Sequence, residues 1–155
     1  MSSIYLFDWG DTLMVDYVDA IGKMCDWPSV KAVDGALETL EILARKHDIY
    51  VATNAADSRE QDIKAAFQRV GLAPFIKGYF CFENIGLNKQ DPDFYIRIAN
   101  KLGVPPESIT MVGDNEVNDI ATAVKAGLNA VWLSHSGAKH SSYRTITSLT
   151  ELTHI

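Results

Sequence analysis

Asp8 and Asp11 stand within "FDWGDTLM", directly after the apolar run Ile4-Tyr5-Leu6, with Gly10 between them and Thr12 beside them. A second acidic group, Asp114 and Asp119, lies in "GDNEVND" and also follows an apolar run, "ITMV". Thr53 closes the run "DIYVAT", Asn54 comes next, and Lys89 sits in the polar loop "ENIGLNKQ". Carboxylates gathered within a few ångströms in a half-buried place cannot all stay ionised unaided. Either some are protonated or a cation sits among them. Oxygen-only donors suit a hard divalent ion, Mg2+ above all. A Mg2+ held by few carboxylates usually has a phosphate as its other partner, and Thr53, Asn54 and Lys89 supply donors for such an anion.

These groups converge only if the fold collects them. Ser3 to Phe7 reads as a first strand, "DIYVAT" as a second, "GYFCF" (Gly78 to Phe82) as a third, "ITMV" as a fourth and "NAVWL" as a fifth. Between them run helical stripes: Val33, Leu37, Leu40 and Leu43; Ile63, Ala66, Phe67 and Val70; Tyr95, Ile98, Ala99 and Leu102; Val117, Ile120, Ala121 and Val124. Three helices end alike, in "RVGL", "KLGV" and "KAGL", which predicts left-handed glycines at Gly71, Gly103 and Gly127. Strands alternating with helices predict one α/β domain over residues 1–155, a doubly wound parallel sheet with helices on both faces. Ligands of such sheets bind beyond the C-terminal strand ends. Asp8, Thr53, Asn54, Lys89, Asp114 and Asp119 all fall on that rim.

The bulk numbers agree with a soluble globular chain: 47% apolar, 22% charged and a formal net charge of −6. No Lys/Arg cluster is present to grip nucleic acid. No apolar stretch is long enough to span a bilayer, and no basic-then-apolar leader opens the sequence, so a cytoplasmic protein is expected. Cys25 and Cys81 read as small apolar fillers. Of the four histidines, His47, His140 and His154 are scattered, while His135 follows the fifth strand on the same rim.

From Ile4 to about Leu152 the chain resembles the haloacid dehalogenase (HAD) superfamily, and four of that family's motifs occur in order. "DWGDTL" matches the first, Thr53 the second, Lys89 followed by "DPDFY" the third, and "VGDNEVND" the fourth. The resemblance implies a Mg2+-dependent phosphatase with a Rossmann-like fold. Asp8 would attack phosphorus and form an aspartyl-phosphate. Mg2+ would be held by Asp8, the Gly10 carbonyl and Asp114, with Asp119 acting through water. Thr53 would bond the phosphoryl group, with Asn54 as a further donor, and Lys89 would neutralise it and orient Asp8.

One departure stands out. The family's phosphatases carry their acid/base Asp two residues after the nucleophile, where this chain has Gly10. The order Asp8-Trp9-Gly10-Asp11-Thr12 exchanges Gly and Asp, so Asp11 would have to supply that function from the adjacent position. A second departure is an absence. No cap domain fits before the second or third motif; residues 14–32 suffice only for a short flap bearing Tyr17, Trp27 and Pro28. An open site admits a large substrate, or is closed by a partner or a second copy of the chain. Two functions stay open: a phosphatase using Asp8, and a catalytically weak module of the same fold that binds phosphate or protein.

Overall fold

The protein is described as a computed structural model over residues 4–17, 20–54, 58–139 and 142–153. Its frame is β1 (Ile4–Phe7), whose four residues are all buried, as befits a strand covered on both faces. Side chains alternate across it. Tyr5 and Phe7 face Leu40 of α1 (Ala36–Leu43) and Ile63 and Phe67 of α2 (Glu60–Arg69). Ile4 and Leu6 face Phe94 and Ile98 of α4 (Pro92–Leu102) and Ala123 of α5 (Thr122–Lys125).

The sheet is six-stranded and all its pairings are parallel, in the order β3-β2-β1-β4-β5-β6. The further strands are β2 (Asp48–Ala52), β3 (Gly78–Phe80), β4 (Ile109–Gly113), β5 (Asn129–Leu133) and β6 (Arg144–Ile146). The chain winds outward from β1 through β2 to β3, then returns to lay β4 on the other side of β1. That reversal makes the β1/β4 boundary the switch point, where the loops leaving two neighbouring strands part and a crevice opens.

The doubly wound reading stands, with local differences. Ser3, expected to start β1, lies outside the described residues. β3 stops at Phe80; Cys81 caps a short α3 (Phe82–Ile85), and its N–H donates to Asn84 Oδ1 at 2.9 Å. The stripe from Val117 to Val124 is broken, because Glu116–Ala121 is a wider π-helix. Ile120 is buried as expected, but Val117 and Val124 are exposed. Gly71, Gly103 and Gly127 have the expected positive φ, at 78°, 70° and 96°. Cys25 and Cys81 are free, and Cys81 is buried. Among the described residues no helix is long and apolar enough to cross a membrane.

Between β1 and β2 the described residues form a short flap. Met14 bridges to Gly10 and to Ala32, which closes the flap's base. Its tip carries Met24 and Trp27, both buried, on α2. Arg69 of α2 donates to three flap carbonyls, those of Trp27 at 2.5 Å, Cys25 at 3.3 Å and Pro28 at 3.4 Å. Lys23 pairs with Asp62 at 3.0 Å. Arg69→Met keeps the stem and removes these donors. It should lower unfolding free energy by about 1 kcal/mol in urea titration and speed proteolysis within the flap; an unchanged cleavage rate would show that the apolar contacts alone hold it.

Candidate active site

Asp8 is the first residue past β1, and its N–H donates to Val112 O at 2.9 Å, so the β1/β4 pairing runs on one residue and aims Asp8 out of the rim. Thr53 holds the matching place past β2, with its N–H on Phe80 O at 3.0 Å. A cavity of about 410 Å³ opens above them, lined by Asp8, Thr53, Lys89, Asp114 and Asp119 among others. Carboxylate oxygens of Asp8, Asp114 and Asp119 lie within 4.8 Å of one another.

Lys89 enters this group from below. Its ammonium is 2% exposed and bonds Asp8 Oδ1 at 2.6 Å and Asp119 Oδ1 at 2.9 Å. The backbone of Lys89 is pinned as well, because its N–H donates to Asn54 Oδ1 at 2.8 Å. Asn54 Nδ2 donates to Gln90 Oε1 at 3.2 Å. Asn54, offered by the sequence as a phosphate donor, thus ties the end of β2 to the Lys89 loop.

Asp119 is placed by the π-helix. Asn115 Oδ1 accepts from Val117 N and Asn118 N at 3.1 and 2.9 Å, and Asp119 Oδ2 accepts from Asn115 N at 3.1 Å. Within this wider turn the Asn118 carbonyl accepts from the Tyr95 hydroxyl at 2.8 Å. A Cβ on Gly113 would run into the Asp119 carboxyl, so the bare position lets Asp119 fold back onto Lys89. Asp114 is held through its carbonyl by Trp132 Nε1 at 3.0 Å, and Thr12 Oγ1 spans Asp8 Oδ2 at 3.2 Å and Asp114 Oδ1 at 3.3 Å.

The electrostatics follow from this packing. Burial alone would raise Asp8, but the Lys89 ammonium, a hydrogen bond from Asp114 and the Trp9 backbone hold it below the ordinary carboxylate value. Burial raises Asp114, its bond to Asp8 and the neighbouring acids add to this, and it reaches about 8. Burial also raises Asp119; the Lys89 charge opposes this and the Asp8 charge reinforces it, giving about 6. Lys89 itself, which burial would lower, is pushed up by Asp8 and Asp119. The two neighbours Asp8 and Asp114 are thus pushed in opposite directions, Asp8 down and Asp114 up. Three carboxylates against one ammonium, with oxygen donors only, fit a hard divalent cation such as Mg2+.

The exchanged pair is resolved in detail. Asp11 has a left-handed backbone, φ 58°. Its N–H donates to Met14 O at 2.6 Å, its carbonyl meets His135 Nε2 at 2.6 Å, and its carboxylate accepts the Asp16 N–H at 3.1 Å. Asp16, which the sequence reading passed over, lines the cavity beside Gly10. Burial, then the charges of Asp11 and Asp8, raises its pKa. The signal was a third acid shortly after Asp8 and Asp11, but only the turn at Asp11 brings it to the rim. Tyr95 was likewise read only as part of a helical stripe. His47 is half-buried with its ring edge-on to Tyr5, ring centroids 5.0 Å apart, and His140 and His154 fall outside the described residues.

The family model of haloacid dehalogenase-like hydrolases matches residues 5–127. The chain is 34% identical over 94 residues to enolase-phosphatase E1 of Candida tropicalis, covering 56% of this chain and 38% of that enzyme. It is 29% identical over 104 residues to the pyrimidine 5'-nucleotidase PynA of Streptococcus pneumoniae, covering 66% of this chain and 43% of the nucleotidase. It therefore spans about two fifths of the length of these relatives. An uncharacterized protein from Listeria monocytogenes serotype 4b has the same fold, with TM-score 0.83 at 20% identity over 98% of this chain and 95% of that one. The magnesium-bound HAD-hydrolase YfnB of Bacillus subtilis gives TM-score 0.79 at 16% identity over 99% and 97%. At these identities the two structures are alike in fold alone.

An unfolded Asp titrates near about 3.9, whereas Asp119 and Asp114 do so at about 6 and about 8 in the metal-free fold. The fold keeps protons that the unfolded chain has released, so its stability falls as pH rises from about 4 to about 8. Asp8, held low, changes the slope only below that window. A cation held by the same carboxylates would compete with those protons, so Mg2+ should raise the melting temperature more at pH about 8 than at pH about 5. Stability that climbs with pH in the metal-free protein would contradict this. Gly113→Ala, by displacing Asp119, should weaken Mg2+ binding about 10-fold to 100-fold in calorimetric titration.

Proposed function

Because the chain belongs to the haloacid dehalogenase-like hydrolase family, we propose that it is a Mg2+-dependent phosphatase in which Asp8 attacks the phosphorus of a phosphoric monoester. The observation that carries this is the setting of Asp8: a carboxylate lining the cavity, bonded by a buried ammonium at 2.6 Å that helps hold its pKa low, and set beside two further acids.

Lys89 does two things in this reading. It fixes Asp8 through Oδ1, so the carboxylate meets the phosphorus without first reorienting. It also places a positive charge where the transferring phosphoryl group gathers negative charge. Asp119 keeps Lys89 in place from the far side. Thr53, at the end of β2, bonds a phosphoryl oxygen. Asp8, Asp114 and the Gly10 carbonyl, with Asp119 through water, would hold the Mg2+, which shields charge on the phosphoryl oxygens. Attack forms an aspartyl-phosphate on Asp8 with loss of the alcohol, and water then releases phosphate and restores Asp8.

One observation favours the weaker reading, a phosphate-binding member with little turnover: the Asp11 carboxylate bonds the Asp16 backbone rather than standing free above Asp8. Turnover separates the two. With Mg2+, the protein should hydrolyse para-nitrophenyl phosphate, and protein quenched in acid should carry phosphate on Asp8 by mass spectrometry. Asp8→Asn should abolish both while its melting temperature stays high. Retained activity in that variant removes Asp8 from the nucleophile role; an inert wild type leaves the binding module.

A further inference from the structure

A side chain grown from Gly10 would meet Asp16 before anything else. The three nearest atoms to its Cβ are Asp16 Oδ2 at 3.4 Å, Asp16 Cβ at 3.5 Å and Asp16 Cγ at 3.7 Å. Gly10 and Asp16 both line the cavity that Asp8 lines. We propose that Asp16 is the general acid and base of this site, reaching from the flap into the place that Gly10 leaves without a side chain. The inference rests on the phosphatase reading above.

The placement is built. Met14 bridges Gly10 on one side and Ala32 on the other, and Val15 N–H donates to Lys31 O at 2.8 Å. These contacts fix the chain just ahead of Asp16. Asp11 then accepts the Asp16 N–H, which leaves the Asp16 carboxylate to face the cavity that Asp8 also lines. Among the described residues no donor is bonded to that carboxylate, so its oxygens are available to a substrate or a water. Asp11 is a positioning residue in this account: its own carboxylate is engaged by the backbone it holds.

The chemistry balances with Asp16 alone. In the first step an Asp8 oxygen bonds to phosphorus, the ester P–O bond breaks, and the Asp16 carboxylic acid gives its proton to the departing alkoxide, which leaves as an alcohol. In the second step the Asp16 carboxylate takes a proton from water as that water's oxygen bonds to phosphorus and the P–O bond to Asp8 breaks. Phosphate leaves, Asp8 is an anion again and Asp16 is an acid again.

Leaving-group dependence tests this. Nitrophenolate departs without a proton, whereas an alkoxide does not. With Mg2+, Asp16→Asn should cut kcat for propyl phosphate by about 10²-fold to 10⁴-fold. The formation of phosphorylated Asp8 from para-nitrophenyl phosphate should suffer far less. Hydrolysis of the phosphoenzyme has then lost its base, so phosphorylated Asp8 should accumulate in acid-quenched samples, with a burst of nitrophenol. Asp16 is exposed and Asp16→Asn keeps its backbone N–H, so the melting temperature should hold. Gly10→Asp added to Asp16→Asn should restore part of the propyl phosphate turnover, which a merely structural role for Asp16 would not allow. Asp11→Asn, which still offers an acceptor oxygen, should keep more propyl phosphate turnover than Asp11→Gly. Propyl phosphate turnover in Asp16→Asn within about threefold of an active wild type, with no phosphoenzyme accumulating, overturns the role of Asp16 and leaves the phosphatase reading intact. A wild type that neither turns over nor becomes phosphorylated overturns both.

Discussion

Lys89 is buried, and its ammonium must be answered. Taking such a charge out of water costs several kcal/mol unless partners are close and well aimed. Here the partners are Asp8 from β1 and Asp119 from the π-helix after β4, and the ion's own loop comes from beyond β3. Three separate parts of the chain are thus bound to one point. β1 and β4 have to be neighbours, which the reversal of strand order achieves. Gly113 has to be bare, or Asp119 could not fold back. Asp119 itself lies within a wider helical turn, where Tyr95 bonds the neighbouring Asn118 carbonyl. Asn54 has to hold the Lys89 backbone, or the long side chain would have no fixed root.

The same arrangement explains why the acids differ. Asp8 and Asp119 both touch Lys89, but Asp114 does not, and it receives burial and repulsion without relief. It is therefore the acid whose pKa is pushed furthest up, to about 8. The charge imbalance that raises Asp114 is the same feature that would favour a cation among the three acids.

Much of this was legible in the sequence because parallel sheets put strand ends together. Asp8, Thr53 and Asp114 each follow an apolar run, so their place on the rim could be read from hydropathy alone. What could not be read depended on backbone detail. "GYFCF" has the composition of a strand, yet Asn84 takes the Cys81 N–H and turns Phe82 into a helix. β6 is short, and of its three residues only Ile146 is buried, so it left no periodic trace. The stripe from Val117 to Val124 assumed the α-helical period, which the π-helix breaks. Asp16 was hidden for a related reason: its approach to Gly10 follows from one left-handed residue, and no spacing rule encodes that.

That left-handed residue joins the two departures from the family pattern into one. A side chain other than glycine at φ 58° is strained, but Asp is among the residues that tolerate it best. At position 11 the strain is offset locally, since the Asp11 N–H, carbonyl and carboxylate are all bonded. The result is a tight turn that carries the chain back over Gly10 and delivers Asp16 there. A Cβ at position 10 would come into van der Waals contact with Asp16, so Gly10 and the bent Asp11 together set how near the Asp16 carboxylate lies to that position. The flap adds the remaining constraint. It leaves the turn, packs Met24 and Trp27 on α2 and is clamped by Arg69. Among the described residues the segment that brings the Asp16 carboxylate to Gly10 also lines the cavity through Met24 and Trp27, so under the role proposed for Asp16 one short stretch of chain would set both the space left for a substrate and the position of the proton donor.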